Sequence, residues 1–558
     1  MNFTENQVQA IQNTDGPHLI IAGPGSGKTA VLVEKILYLI KKADIDVENI
    51  LAITFTNKAA DEIMERVKLK FEFLENLPKI CTFHNLAYQI LKENYKIVGL
   101  DQNFQIALQK NKILSKSQND ISFDELIIKA VEVLEKNLKV LGKYQEKYKY
   151  IMVDEFQDTS DMEAKLINLI AKKHKNISVV GDSDQAIYGF KGANLENFLK
   201  FKETYPEAEE IFLNENFRST QTIVNASQKL IENNKKRFLK KANTKNKMGL
   251  PINLNYLENS FCEAKFIIEN IEKLIGGSAN IHIYKNTVNI DDLQNNYSFK
   301  DIAVVYRLKA IGKFLKKYFE EASIPYEIIG DESFFEKEEI LKVLEILAKI
   351  DSNEDLVKLE NLKKICNKLR LSKQIEKIIE ICDLKAIYDR EENFQTRTNK
   401  FDNILQLQNM AVAFDELDPA TARKRFLEKA QLSKNENFVD LKSEKIKLMT
   451  VHCAKGLEFP IIFIVAMEEG IFPFVKKKAL SSLNFLEEER RLMYVAMTRA
   501  KERLFITYSK ERGLYGKKNK SKPSKFISEI PEKFINFQEI RNKRVLKQRE
   551  KDRQGTLF

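Results

Sequence analysis

Two things are scarce in this chain of 558 residues: cysteine, and unbroken apolar sequence. Its 5 cysteines, Cys81, Cys262, Cys366, Cys382 and Cys453, lie far apart, and no Cys-x-x-Cys pair occurs. That excludes a disulfide framework and a cysteine zinc site, and it fits a reducing compartment. No apolar run reaches the ~18 residues that a membrane-spanning helix needs. The opening residues, Met1-Asn2-Phe3-Thr4-Glu5-Asn6-Gln7, are polar and carry no signal-peptide core. These absences predict a cytoplasmic protein with no membrane partner. An acidic excess is missing too: 91 Lys+Arg against 80 Asp+Glu leave a net charge of +11. That balance suits a polyanionic partner such as nucleic acid. The length exceeds one domain, and 43% hydrophobic residues supply sizeable cores.

What is present is organised around Ala22-Gly23-Pro24-Gly25-Ser26-Gly27-Lys28-Thr29. The apolar run Leu19-Ile20-Ile21 precedes it, and a helical pattern through Val31, Leu32, Ile36 and Leu37 follows, after Ala30. Strand, glycine-rich turn and helix form the context of a phosphate-binding loop. The glycines let successive amides turn inward toward phosphate oxygens, and the new helix adds the positive end of its dipole. Lys28 is the cation for the β- and γ-phosphates, and the Thr29 hydroxyl is a Mg²⁺ ligand. ATP and Mg²⁺ are therefore the expected cofactors. A second apolar run, 150–153, ends in Asp154-Glu155. Asp154 suits a hard cation, and Glu155 suits the activation of an attacking water.

Apolar runs alternate with helical patterns over 1–86, and strands return after 143. This predicts a first α/β domain at 1–86 and 143–208, with a short helical insertion at 87–142. The pattern repeats: 209–340 and 444–530 form a second α/β domain, with 341–443 as its insertion. Residues 531–558 read as a basic flexible tail.

The segment Gly181-Asp182-Ser183-Asp184-Gln185-Ala186-Ile187-Tyr188-Gly189-Phe190-Lys191-Gly192-Ala193 completes a set of motifs. Together they resemble the superfamily 1 DNA helicases of the UvrD/Rep/PcrA type. The resemblance runs over roughly 1–530. It implies two RecA-like parallel-sheet motor domains, each with a helical insertion, and ATP-dependent 3′→5′ movement on single-stranded DNA that opens ss/ds junctions in repair or replication. Gln7, in Phe3-Thr4-Glu5-Asn6-Gln7, is implied to read adenine. Phe217 is implied to stack on the base, and Gly456 and Glu458 to lie at the nucleotide. Gln185 is implied to sense the γ-phosphate, with Arg218 and Arg499 as arginine fingers from the second domain. The implied DNA contacts are Phe55, Thr56, Asn57, Thr82, His84, Tyr188, Phe190, Lys191, Arg307, Thr450, His452 and Tyr515. Lys191 stands where many relatives have Arg. The last residues place Gln554, Leu557 and Phe558 in a Gln-x-x-Leu-Phe pattern similar to the peptide that docks on the bacterial sliding clamp. Two other functions fit the same motifs: a translocase that strips proteins from single strands, and an ATP-gated DNA-binding recruitment factor.

Overall fold

The structure is a computed structural model. It describes residues 3–70, 76–102, 104–106, 120–276, 297–330, 334–350, 357–381, 394–432, 442–474, 483–514 and 517–540. Tyr515 and the 554–558 peptide lie outside these residues.

The strands in chain order are β1 (His18–Ala22), β2 (Ile50–Thr54), β3 (Lys79–Thr82), β4 (Gln105–Ile106), β5 (Asp120–Ile121), β6 (Tyr150–Val153), β7 (Asn176–Gly181), β8 (Glu209–Leu213), β9 (Ile252–Asn259), β10 (Ile302–Tyr306), β11 (Tyr326–Ile329), β12 (Ile446–Thr450), β13 (Phe459–Ile464), β14 (Ala500–Leu514), β15 (Lys517–Lys520) and β16 (Ile535–Ile540). The first sheet has the order β3-β2-β6-β7-β1-β8, all parallel. The second has the order β11-β12-β10-β13-β14-β9-β16, also parallel, and β15 adds antiparallel to β14. These are the two RecA-like domains.

Parallel strands are covered on both faces, which is why they read as continuous apolar runs. On the first sheet, Leu19, Ile21, Leu51, Ile53, Ile151 and Val153 share a core with helices Phe83–Asn94 and Phe123–Lys136. On the other face, Ile20, Ala22, Ile50, Ala52 and Met152 pack against helices Lys28–Lys41 and Asn57–Lys70. The second sheet is covered likewise, by Gln221–Ile231 and Leu483–Met497 on one face and by Ser260–Leu274 and Lys309–Glu321 on the other.

Several expected boundaries move. The breaks at 86/87, 142/143 and 340/341 each cut a helix: Phe83–Asn94, Leu138–Lys147 and Glu338–Ile350. The first insertion is no separate body, because its helices bury themselves on the first sheet. It also carries the small β4–β5 pair, where only helix was expected. The second insertion does have its own core, from Phe334 to Ala430. Strand β8 belongs to the first sheet, beside β1, so the second domain starts after 213 rather than at 209. The tail reading at 531 also fails over 535–540. That stretch hydrogen-bonds along β9 as an edge strand, and an edge tolerates the polar residues that made it look like tail.

Candidate nucleotide cleft and DNA groove

In a parallel sheet the strands' carboxyl ends form the binding edge. β1, β6 and β7 bring residues 22–29, Asp154-Glu155 and Asp182 to that edge. Gly27 opens helix Lys28–Lys41 at φ 78° and supplies no side-chain cap. The first amides of this helix are therefore the unsatisfied donors of a bare N-terminus. The loop's carbonyls, by contrast, are engaged. Asn216 Nδ2 donates to Pro24 O (2.7 Å), and Phe217 N donates to Gly25 O (2.9 Å). Ser26 Oγ closes the turn on Gly23 O at 2.8 Å. With its carbonyls held from outside, the loop offers amides inward, as an anion requires.

Gln7 is buried, and its amide works at both ends. Oε1 accepts from Thr4 N (2.9 Å) in a capping box, and Nε2 donates to Ser26 O (2.9 Å). A second hydrogen and a second lone pair remain for a base. Gly27 is favoured here by its positive φ, and a Cβ would stand a tight 3.1 Å from Gln7 Nε2. Ala30 lies half-buried one turn on, and Phe217 is 50% exposed beside the loop.

Of the acid pair, Asp154 is buried and Glu155 is half-buried and strained. Asp154 is 7% exposed, and Glu155 adopts φ 52°, the left-handed region that non-glycine residues avoid. Burial first, then the neighbouring Glu155, raise the Asp154 carboxyl well above the usual range. Burial also works against the charge of Glu155, but Lys28 and Lys455 outweigh it and hold its pKa down. The under-compensated Asp154 carboxylate and the Thr29 hydroxyl have the donor chemistry of a Mg²⁺ site completed by phosphate oxygens and water. Lys28 Nζ reaches back to Ala22 O at 3.4 Å.

Three residues around this pair carried no sequence-based assignment. Gln157, fully buried, donates to Glu155 Oε2 and accepts from Asp182 N at 2.9 Å. Gly181 leaves it room: a Cβ there would meet Gln157 Oε1 at 2.5 Å. Asp182 Oδ2 accepts from Gln185 Nε2 (2.6 Å), and its other oxygen pairs with Lys240 from the second domain. Lys455, also from the second domain, pairs with Asp158, sits 3.8 Å from Glu155 and donates to Gln185 O at 2.8 Å.

Two arginines of the second domain, Arg499 and Arg218, lie near this cluster. Arg499 is 2% exposed and donates to Val495 O (3.1 Å), Leu457 O (3.2 Å) and Gln185 Oε1 (3.3 Å). Burial, then the charge of Arg218, push its pKa down. Two guanidiniums converging in a buried place call for an anion between them. Arg218 donates to Thr498 O (3.3 Å) and pairs with Glu458, which also holds Lys501 at 2.7 Å. Gly456, at φ 83°, is exposed two residues before Glu458.

The predicted DNA contacts divide into two groups. Phe55, Tyr188, Phe190, Lys191 and His452 come together. Phe55 stacks on Tyr188 (centroids 5.3 Å, planes 11° apart), and Phe190 meets His452 edge-on at 5.1 Å. Lys191 Nζ stands 5.0 Å from the Tyr188 ring centre, so its cation rests on the aromatic faces. Tyr188 Oη donates to His452 O (3.3 Å), which ties the two domains across the groove. Phe190 is 65% exposed and offers a free face to a base. Burial, followed by Arg307 and Lys191, depresses the His452 pKa to about 3. Arg307 itself is chelated by Glu489 through Nε and Nη2 (2.7–3.1 Å).

The second group also makes contacts within the fold. The hydroxyls of Thr56 and Thr82 accept from Ala59 N (3.2 Å) and Asn85 N (3.3 Å), capping helices whose first residues include Asn57 and Phe83. Thr450 Oγ1 donates to Cys453 Sγ at 3.2 Å. His84 stacks on Phe123 at 3.7 Å between centroids, and burial lowers its pKa to about 4.

Among the described residues no helix is long and apolar enough to cross a membrane. Comparison with known proteins agrees with the geometry. The model of the UvrD/REP helicase N-terminal domain matches residues 3–118 and 107–206, and that of the UvrD-like helicase C-terminal domain matches 211–384 and 358–511. The chain is similar to the ATP-dependent DNA helicase PcrA of Staphylococcus aureus strain Mu50, with 30% identity over 96% of this chain and 87% of the relative. It is similar also to the protein of that name from Staphylococcus epidermidis strain ATCC 12228, with 29% identity over 99% of this chain and 90% of the relative. Both domains and nearly the whole length are thus accounted for by one family, and the chain belongs to the UvrD/Rep/PcrA-like helicases of superfamily 1.

Proposed function

We propose that this chain is an ATP-driven motor that moves 3′→5′ along single-stranded DNA and separates duplex at ss/ds junctions, in the service of DNA repair or replication in the cytoplasm. The observation that carries the reading is the contact of Arg499, in the second domain, with Gln185 in the first. It couples the two halves of one cleft.

Phosphoryl transfer asks a protein for position and charge rather than covalent chemistry. Lys28 and the loop amides bind the triphosphate from the first domain. Thr29 and Asp154 would hold Mg²⁺, which would supply positive charge to the phosphate oxygens. Glu155, fixed by Gln157, orients the water and takes its proton. Arg218 and Arg499 close from the second domain; an arginine finger contributes roughly 10³–10⁵ in rate. Gln7 and Phe217 hold the base. Phe190, Tyr188 and Lys191 grip DNA beside the same domain boundary, so closure of the cleft and movement of the strand are one motion.

Unwinding of 3′-tailed and 5′-tailed duplexes with ATP tests this. Strand separation on the 3′-tailed substrate alone is expected. Separation favouring the 5′ tail overturns the polarity. No separation, with streptavidin still displaced from single strands, replaces unwinding by protein displacement.

A further inference from the structure

Glu487, Glu488 and Glu489 follow one another on helix Leu483–Met497, and each meets a different anchor. Glu487 accepts from Lys235 N at 2.8 Å and lies 3.4 Å from the Arg491 guanidinium. Glu489 chelates Arg307 and accepts from Phe474 N at 3.0 Å. These two fix the helix within its own domain. Glu488 faces the other domain. Its carboxylate lies against the backbone of Gly189, so close that a Cβ there would meet Oε2 at 3.0 Å and Oε1 at 3.1 Å. The Gly189 backbone favours the charged form of this carboxylate.

Gly189 sits between Tyr188 and Phe190, the rings assigned above to DNA bases. The same helix leads directly to Arg499, eleven residues on, a span of about 16 Å at the α-helical rise. One rigid rod therefore touches the stacking loop near one end and the nucleotide cleft at the other. Among the described residues no ion pair holds Glu488, whereas Glu487 and Glu489 each have one. Its contact is the one of the three that can yield when the loop moves.

We propose that Glu488 is a positioning residue that conveys the seating of a base on Tyr188 and Phe190 to Arg499. The inference rests on the DNA reading of those rings. It goes further by naming the carboxylate through which DNA stimulates hydrolysis.

The test is steady-state ATP turnover by the full chain, with and without saturating oligo(dT). Glu488→Ala keeps DNA-free turnover within about twofold of the parent and loses about tenfold or more of the DNA stimulation, in the range of ordinary coupling energies. Glu488→Gln keeps a polar group of the same size against Gly189 and retains about half or more of the stimulation, where the contact rather than net charge carries the coupling. Parent-level stimulation in Glu488→Ala overturns the proposal. So does an equal fall in DNA-free and stimulated turnover, which assigns Glu488 to folding alone. A parent chain that oligo(dT) does not stimulate at all overturns the DNA reading itself.

Discussion

The nucleotide cleft and the DNA groove are both shared between the two domains, yet they are built on opposite principles. The cleft is charged, buried and closely constrained. Glu155 is held at a left-handed φ, Gln157 is wedged against Gly181, and Arg499 is 2% exposed with a partner for each guanidinium nitrogen. The groove is a run of aromatic faces with cations resting on them, and its outermost ring, Phe190, is 65% exposed. A reaction coordinate tolerates little displacement, so its parts are locked. A strand of changing sequence must be held and released repeatedly, and stacking supplies a grip indifferent to which base arrives.

This contrast can be broken or sharpened by experiment. The largest effect belongs to the cleft. Lys28→Ala and Arg499→Ala should each cut ATP turnover by about 10³-fold or more, while single-strand affinity measured by fluorescence anisotropy stays nearly unchanged. Undiminished turnover in either variant removes that residue from the site. Gln157→Ala comes next. It leaves Glu155 in place but unbraced, and turnover should fall by up to about 10²-fold, the cost of a misplaced group. If ATP KM rises and kcat holds, the brace serves binding instead.

In the groove the losses should be smaller and graded. Phe190→Ala removes one stacking face, about 1–3 kcal/mol of single-strand affinity. Phe190→Tyr should restore it, and an alanine variant that binds as tightly as the parent would show that bases sit elsewhere. A further effect, of similar size, is on stability and comes with acid. The pKa values of His84 and His452, lowered by burial to about 4 and about 3, lie below the ordinary 6.5. An unfolded chain then binds their protons first. The stability these neutral rings contribute is complete above about pH 6.5 and is lost as pH falls toward their folded values, about 2 kcal/mol each by pH 5. Urea midpoints at pH 7 and pH 5 measure it. The shift should shrink in His84→Phe, whose ring keeps the stack on Phe123 without a titrating nitrogen.

Where function depends on a contiguous run, the sequence was readable. Strands β1 and β6 stand where the apolar runs 19–21 and 150–153 predicted them. The loop 22–29 and the acids at 154–155 meet at the edge those strands create. What stayed hidden depends on distance along the chain. Lys240 and Asp182, Lys455 and Asp158, and Glu489 and Arg307 are pairs whose members lie far apart and look like ordinary surface charges until the fold joins them. His84 and Thr82 carry internal roles that their motif does not announce. A motif places them at DNA, while the ring of His84 packs on Phe123 and the hydroxyl of Thr82 caps a helix. Strand β8 misled for a simpler reason: its apolar run is short, and nothing local says which of two parallel sheets it will join.

The edge strand β16 sets a rule for anyone shortening this protein. Its residues cover the open side of β9, from Ile535 against Ile252 to Ile540 against Leu257. Trimming the chain at 530 would bare a row of backbone donors and acceptors on β9, an edge that recruits strands from neighbouring molecules. Such a product should be sticky at working concentration, with its motor domains otherwise whole. Trimming after Ile540 keeps the border closed and removes only the basic terminus.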